Sequence, residues 1–296
     1  MKQVIVITGA SSGFGRQTAN ALAKAGHTVY ASMRETTGRN AAVVADVEKF
    51  ARDNKVDLRA LELDVDSQDS ADVAIAKIVA EQGHLDVVMH NAGHMVFGPA
   101  DVHARTTGRT LRHQCAEHPA CQSCGVAATA QAGQRIAGLG VEQQLGRRHA
   151  ALSRALFCRQ GRHGCACRAR ELSRWGIETS IIVPGAFTGG TNHFAHSGSP
   201  ADRARAAKYE AGPYAGFGDQ IMKAFSAIVP PEADAGSVAD AIVKIVDMPF
   251  GQRPFRVHID PTQDGAEVAF AVIDRVRNEM LHRVGFSDLL HPKANG

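Results

Sequence analysis

Apolar and polar residues alternate between two periods along the first hundred positions. VIVIT (4–8) is a short β-branched apolar run, as expected for a strand buried on both faces. RQTANALAKAG follows with helical spacing and stops at Gly26. HTVYASMR, LRALELDV and LDVVMHNAG repeat the strand pattern, and VADVEKFARDN and SADVAIAKIVAEQG separate them as helices. Beyond residue 168 the pattern returns. ARELSRWG reads as a helix end stopped by Gly176, ETSIIVP as a strand, SVADAIVKIVDMP as an amphipathic helix, FRVHIDP as a last strand and GAEVAFAVIDRVRNEMLHRVGF as a late helix. Strands alternating with helices imply a parallel sheet with right-handed crossovers, a doubly wound α/β domain.

The length, 296 residues, fits one large domain or two small ones, and 44% hydrophobic with 21% charged residues is ordinary for a globular chain. No run of 18 apolar residues occurs, so no transmembrane helix is expected, and the N-terminus lacks the features of a secretory signal. A cytoplasmic location is the resulting expectation.

The net charge of +3 averages two unlike parts. Residues 102–168 hold ten Arg, two Glu and no Lys or Asp, a local charge of +8. The rest holds 23 basic against 28 acidic residues, or −5. All six cysteines (Cys115, Cys121, Cys124, Cys158, Cys165, Cys167) and five of the 14 histidines lie in that segment.

Thr8-Gly9-Ala10-Ser11-Ser12-Gly13-Phe14-Gly15 joins the first strand to the first helix. Such a loop places backbone N–H groups and a helix N-terminus against a pyrophosphate. Gly9 permits the turn, Gly13 lets a phosphate approach the backbone, and Gly15 allows close helix packing. Taken with LDV (63–65), NAG (91–93) and PG (184–185), in that order, the loop resembles the short-chain dehydrogenase/reductase family. The resemblance covers residues 1–100 and about 169–260.

It implies a Rossmann-type single domain. Gly9, Ser11, Ser12, Gly13, Phe14 and Gly15 would line the cofactor phosphates, and Asp64 and Val65 the adenine end. Asn91, Ala92 and Gly93 would flank the nicotinamide-side ribose, and Pro184, Gly185 and Thr188 the carboxamide. Read singly, each glycine also fits a plain turn and Asp64 a strand-end cap. The second strand ends Ala31-Ser32-Met33-Arg34, with no acid for a ribose 2′-hydroxyl. A guanidinium suits a 2′-phosphate, so NADP(H) is expected over NAD(H), unless Arg34 is only a solvated surface charge. The implied reaction is hydride transfer between NADP(H) and a small-molecule carbonyl or secondary alcohol, expected to be impaired in the chain as written; the alternative is a non-catalytic nucleotide-binding pseudoenzyme whose altered segment serves a partner. The strand ending VYASMR is similar to members acting on hydrophobic carbonyls such as steroids or retinoids.

Such enzymes carry their chemistry on a serine and a Tyr-x-x-x-Lys pair, the lysine lowering the tyrosine pKa. No Tyr-x-x-x-Lys occurs in this chain. Its tyrosines are Tyr30, Tyr209 and Tyr214, and no lysine lies between Lys77 and Lys208. Back-translation of Ala155–Gly161, read one nucleotide later, permits Pro-Tyr-Phe-Ala-Ala-Lys. The same shift lets Ile136–Gly146 encode an apolar strand followed by serines, and residues 101–116 an amphipathic helix with the expected Asn. A frameshift across about 101–168 accounts for all three and for the loss of Lys, Asp and Tyr.

Two other readings take the segment at face value. Cys115, His118, Cys121 and Cys124 have zinc-ligand residue types, with Cys158, His163, Cys165 and Cys167 as a second group, although evenly spaced ligands are atypical. Ten arginines suit nucleic acid, but no binding module or stacking platform accompanies them. We expect neither a metal site nor a nucleic-acid or membrane partner.

The expected organisation is a dinucleotide-binding half (1–100), an anomalous Arg/Cys/His-rich segment (101–168) in place of the catalytic region, and a second half (169–296) with a substrate lid. The fifth strand and catalytic helix are expected to be disrupted, leaving ETSIIVP with an edge uncovered or patched by the segment. No catalytic residue is expected intact beyond the Asn91 neighbourhood, and the homo-oligomer usual for such proteins is in doubt. In the Gly/Pro/Ala-rich lid stretch 189–235, His193, Phe194, His196, Tyr209, Tyr214 and Phe217 could face a substrate, and each also fits ordinary surface or helix packing.

Overall fold

The computed structural model describes residues 1–93, 137–141, 172–187, 189–191 and 202–292. Seven parallel strands form one sheet in the order β3-β2-β1-β4-β5-β6-β7. They are β1 (Val4–Ile7), β2 (Thr28–Met33), β3 (Leu58–Glu62), β4 (Val87–His90), β5 (Ala137–Val141), β6 (Glu178–Pro184) and β7 (Arg256–Ile259). The described helices are α1 (Gly13–Lys24), α2 (Ala41–Asn54), α3 (Gln68–Gln82), α4 (Arg203–Glu210), α5 (Phe217–Ile228), α6 (Gly236–Asp247) and α7 (Ala266–Arg283).

Burial on both faces explains why β1 and β2 are nearly unbroken apolar runs. One face of the sheet packs Ile5, Ile7, Val29, Ala31 and Met89 against Leu22 of α1 and Val238 and Ile242 of α6. The other packs Val4, Val6, Tyr30 and Val88 against Ile75 and Ile78 of α3. Odd and even positions of one strand thus serve opposite layers, as the pleat requires. The result is the expected doubly wound α/β architecture.

Ala137-Gly-Leu-Gly-Val141 pairs in parallel with both β4 and β6, so the sheet is continuous and β6 is paired on that side. The segment does patch the sheet. The backbone ladders of β4 and β6 impose the pairing, because a buried strand edge needs its N–H and C=O groups satisfied. Two glycines make it a weak strand on propensity alone. The place expected for the catalytic helix, within 142–171, lies outside the described residues.

Helices α4 and α5 form in the stretch read as a Gly/Pro/Ala-rich lid. ARELSRWG contributes a single 3-10 turn, Leu172–Trp175, ended by Gly176 at φ +72°. Among the described residues no helix is long and apolar enough to cross a membrane.

Candidate active site

Because all seven strands are parallel, the loops after β1, β4 and β6 gather at one sheet edge. Chain order reverses between β1 and β4, and in open α/β sheets ligands bind in the crevice at such a switch point. The glycine loop follows β1 and Asn91-Ala92-Gly93 follows β4, so the two motifs meet there.

Thr8 and Asn91 tie them together. The buried Thr8 hydroxyl accepts the N–H groups of Asn91 (2.9 Å) and Ala92 (3.0 Å) and donates to Met89 O (3.3 Å). The Asn91 amide donates from Nδ2 to the carbonyls of Thr8 and Gly9, each at 3.0 Å. A second tie runs to β2, where Ala10 N donates to Ser32 O (2.8 Å) and Ser32 Oγ to Ile7 O (2.9 Å). The loop is therefore fixed by the sheet before any ligand arrives.

Each glycine has its own reason. Gly9 has φ +64°, and a Cβ there would stand 2.7 Å from Ala92 Cα. A Cβ on Gly15 would meet Asn91 Nδ2 at 2.3 Å. Gly13 differs, with φ +57° and nothing within 4 Å of its Cβ position. That open face lies at the N-terminus of α1, where Ser12 caps in an extended conformation without a side-chain hydrogen bond to the helix. Open room, N-terminal N–H groups and a rigid loop fit a pyrophosphate. Ser11 and Phe14 belong to the same turn.

Asp64 sits beyond the end of β3. Its Oδ1 accepts the Asp66 N–H at 3.0 Å, while its own N–H donates to Ser70 Oγ (2.9 Å). The strand-end role is therefore present. Val65 is buried in the layer that also packs Ala92. Arg34 directly follows β2 and is partly exposed. Its loop is held by Glu62, whose carboxylate accepts the N–H groups of Glu35 (2.8 Å) and Thr36 (2.7 Å) and the Thr36 hydroxyl. Partial burial works to raise the Glu62 pKa, but these donors outweigh it and hold the carboxyl below its ordinary value. Asn40 Nδ2 closes the loop onto Arg34 O at 2.6 Å.

On the β6 side, Pro184 is buried and Gly185 N donates to Ile259 O at 2.8 Å. A Cβ on Gly185 would fall 2.0 Å from Asp260 Oδ1. Asp260 is itself tied down by Thr262 N (2.9 Å), Thr262 Oγ1 (2.6 Å) and Asp264 N (3.0 Å). Phe187 packs edge-on against Phe14, with centroids 5.8 Å apart. Gln17 Nε2 donates to Gly190 O at 2.6 Å. Helix α1 thereby connects the two halves of the edge. Thr188, His193, Phe194 and His196 lie outside the described residues. So do the Cys and His of both candidate zinc groups.

Sequence reasoning missed Thr8, Ser32, Glu62, Phe187 and Asp260. Thr8 offered one signal, a hydroxyl ending an apolar strand just before the glycine loop. Ser32, Glu62 and Phe187 have partners remote in sequence, and Asp260, though tied to Thr262 and Asp264, meets the site only through the distant Gly185. Tyr30 is buried, and burial, with its bond to Glu81 (2.7 Å), pushes its phenol up to about 12. Tyr214 is exposed and packs on Phe217, with centroids 5.4 Å apart.

A family model described as short chain dehydrogenase matches residues 3–112. A 3-ketodihydrosphingosine reductase of Bacteroides thetaiotaomicron is 36% identical over 100 residues, which are 34% of this chain and 32% of the relative. The match thus spans about a third of that relative's length. A short-chain dehydrogenase structure from Streptomyces avermitilis superposes with a TM-score of 0.66 at 23% identity, covering 96% of this chain and 98% of that one. An actinorhodin polyketide ketoreductase solved with NADPH gives a TM-score of 0.64 at 20% identity, over 88% of this chain and 96% of the other. At such identities these two structures speak for the fold.

Proposed function

We propose that the chain is a member of the short-chain dehydrogenase family, whose model matches residues 3–112, and that its switch-point edge is an NADP(H) site in a scaffold built for carbonyl–alcohol interconversion. The observation that carries this reading is the glycine loop locked by Thr8 and Asn91, with Gly13 left open at the α1 N-terminus. When bound, the nicotinamide would carry the hydride. The residues proposed to hold the dinucleotide are Gly9, Ser11, Ser12, Gly13, Phe14 and Gly15 for the phosphates. Asp64 and Val65 take the adenine end, Asn91, Ala92 and Gly93 the inner ribose, and Pro184, Gly185 and Thr188 the carboxamide.

Arg34 is the proposed 2′-phosphate ligand. Glu62 lies nearby, but its oxygens accept from Glu35 and Thr36, so it acts as an anchor for the loop carrying Arg34. Charge-assisted guanidinium–phosphate bonding favours NADP(H) there. Titration with NADPH and NADH, followed by nucleotide fluorescence, tests this. Arg34→Asp should weaken NADPH binding at least tenfold and shift preference toward NADH. Unchanged discrimination sinks the assignment.

The substrate class proposed for the scaffold is a small hydrophobic carbonyl or secondary alcohol, in keeping with the keto-lipid reductase among its relatives. A cytoplasmic setting and the three-part organisation 1–100, 101–168 and 169–296 belong to the same reading. For the polypeptide as its sequence stands, we propose weak nucleotide binding without dehydrogenase turnover, because no Tyr-x-x-x-Lys pair exists to move the proton. The frameshift across residues 101–168 explains how a cofactor half of ordinary design precedes a region lacking that pair.

A further inference from the structure

Gly185 follows β6 and lies beside the end of β7, where Pro184 stands opposite Ile259 and Gly185 N donates to Ile259 O at 2.8 Å. Its backbone is not in the left-handed region, so conformation does not demand glycine there. Space demands it instead. A Cβ on Gly185 would fall on the carboxylate of Asp260 and 2.6 Å from Asp260 Cα. The Asp260 side chain thus occupies the room that a side chain at 185 would need. Its own loop holds the carboxylate there. Oδ1 accepts the Thr262 N–H (2.9 Å) and the Thr262 hydroxyl (2.6 Å), and Oδ2 accepts the Asp264 N–H (3.0 Å). Asp264 Oδ1 in turn accepts the N–H of Ala266, the first residue of α7, at 2.9 Å. Two residues beyond Gly185, Phe187 packs edge-on against Phe14 of the glycine loop. The stretch 184–187 is therefore held at one end by Asp260 and at the other by the glycine loop.

We propose that Asp260 is a positioning residue for the nicotinamide end of the dinucleotide: by filling the space over Gly185 it fixes the Pro184–Gly185 backbone that takes up the carboxamide. This rests on the NADP(H) reading of the edge. Asp260 acts through the Gly185 backbone and supplies no group to the hydride or the proton. A short carboxylate with three local donors keeps one orientation, so the backbone beside it is ordered before a ligand arrives, and ordering it no longer weakens binding. Alanine at 260 would open a gap over Gly185, the residue type with the freest backbone. The glycine loop, Arg34 and Asp64 follow β1, β2 and β3, away from this contact. The effect of Asp260 is therefore confined to one end of the ligand.

Isothermal titration calorimetry of the full chain with NADPH and with adenosine 2′,5′-bisphosphate, which lacks the nicotinamide half, tests this. The parent should bind NADPH about tenfold more tightly than the bisphosphate, or better. Asp260→Ala should narrow that gap to about threefold or less, with the bisphosphate bound as by the parent. A general loss of stability would weaken both ligands alike and leave the gap unchanged. Asp260→Asn keeps the volume over Gly185 and an oxygen for Thr262, so it should restore most of the gap. Thr262→Val removes only the hydroxyl donor and should narrow the gap by about half, which keeps the test open if Asp260→Ala does not fold. A full gap in folded Asp260→Ala, or in Thr262→Val where the alanine variant does not fold, overturns the proposal. So does an Asp260→Asn variant that binds no better than Asp260→Ala. A parent that binds both ligands equally overturns it and leaves the NADP(H) site in place. A parent that binds neither removes both.

Discussion

Gly15 stands where α1 passes closest to Asn91. A Cβ there would lie 2.3 Å from Asn91 Nδ2 and 2.8 Å from Gly9 O, so Gly15→Ala must push the amide away and break both of its bonds. Overpacking of this kind costs about 1–3 kcal/mol. Urea unfolding should show that loss, and NADPH binding should fall with it because the loop loses its clamp. Gly13→Ala is the contrasting case. Its φ of +57° makes alanine strained, but the space is empty, so binding should suffer more than stability. Equal stability and equal nucleotide affinity for parent and Gly15→Ala would contradict the clamp. The glycines were legible in sequence because their spacing expresses local backbone geometry. Thr8 and Ser32 were not, since buried hydroxyls at strand ends are common and their partners, Asn91 and Ile7, lie 83 and 25 residues away.

At the level of elements, a buried ion pair joins β6 to α6. Glu178 opens β6 and accepts the N–H groups of Gly251 and Arg253, both at 3.2 Å, and Arg253 Nη1 at 3.0 Å. Arg253 also donates to Ile245 O (3.0 Å) and Val246 O (3.1 Å), carbonyls of the last turn of α6 that accept in addition the Met248 N–H and the Gln3 amide. Both side chains are under a tenth exposed. Removing one partner leaves the other charge buried and two N–H groups unanswered, so Glu178→Ala should cost about 3–5 kcal/mol. A replacement of both residues by apolar ones of similar size should cost less than Glu178→Ala, and denaturant midpoints would reveal the reverse order if the pair were stabilising in itself. The strands and helices of the first hundred residues were legible because burial on defined faces writes their periods. The strand β5 was not, since Ala-Gly-Leu-Gly-Val has neither alternation nor β-branched weight, and its place is dictated by the neighbours it joins. The helix α5 carries Phe217, Ile221, Met222, Phe225 and Ile228 at helical spacing, a signal hidden by the glycines and prolines around it.

At the scale of the whole molecule, the proposed reading separates binding from turnover. The proposed dinucleotide edge draws on residues before 94 and on described residues from 184–187 and 189–190, linked through α1 and the sheet. A ligand that binds only the folded chain stabilises it by RT ln(1 + [L]/Kd), about 2.7 kcal/mol at one hundred times Kd. NADPH at that excess should therefore raise the melting temperature by several degrees, and NADH at equal concentration by less. No carbonyl reduction should accompany the shift, because Tyr30 is locked with Glu81 and Arg59 and no tyrosine has a lysine four positions on. Thermal melts with each nucleotide, run beside an NADPH-consumption assay on a panel of hydrophobic ketones, separate the outcomes. Stabilisation without turnover, from a protein whose peptide map carries Phe157-Cys158-Arg159, matches the reading. Turnover at ordinary enzyme rates would contradict it, unless the same map carried Tyr-Phe-Ala-Ala-Lys in that place. The active protein would then be the one written in the shifted frame. No stabilisation by either nucleotide would instead mean that the rigid loop is a structural turn and that the hydride site is lost along with the proton donor.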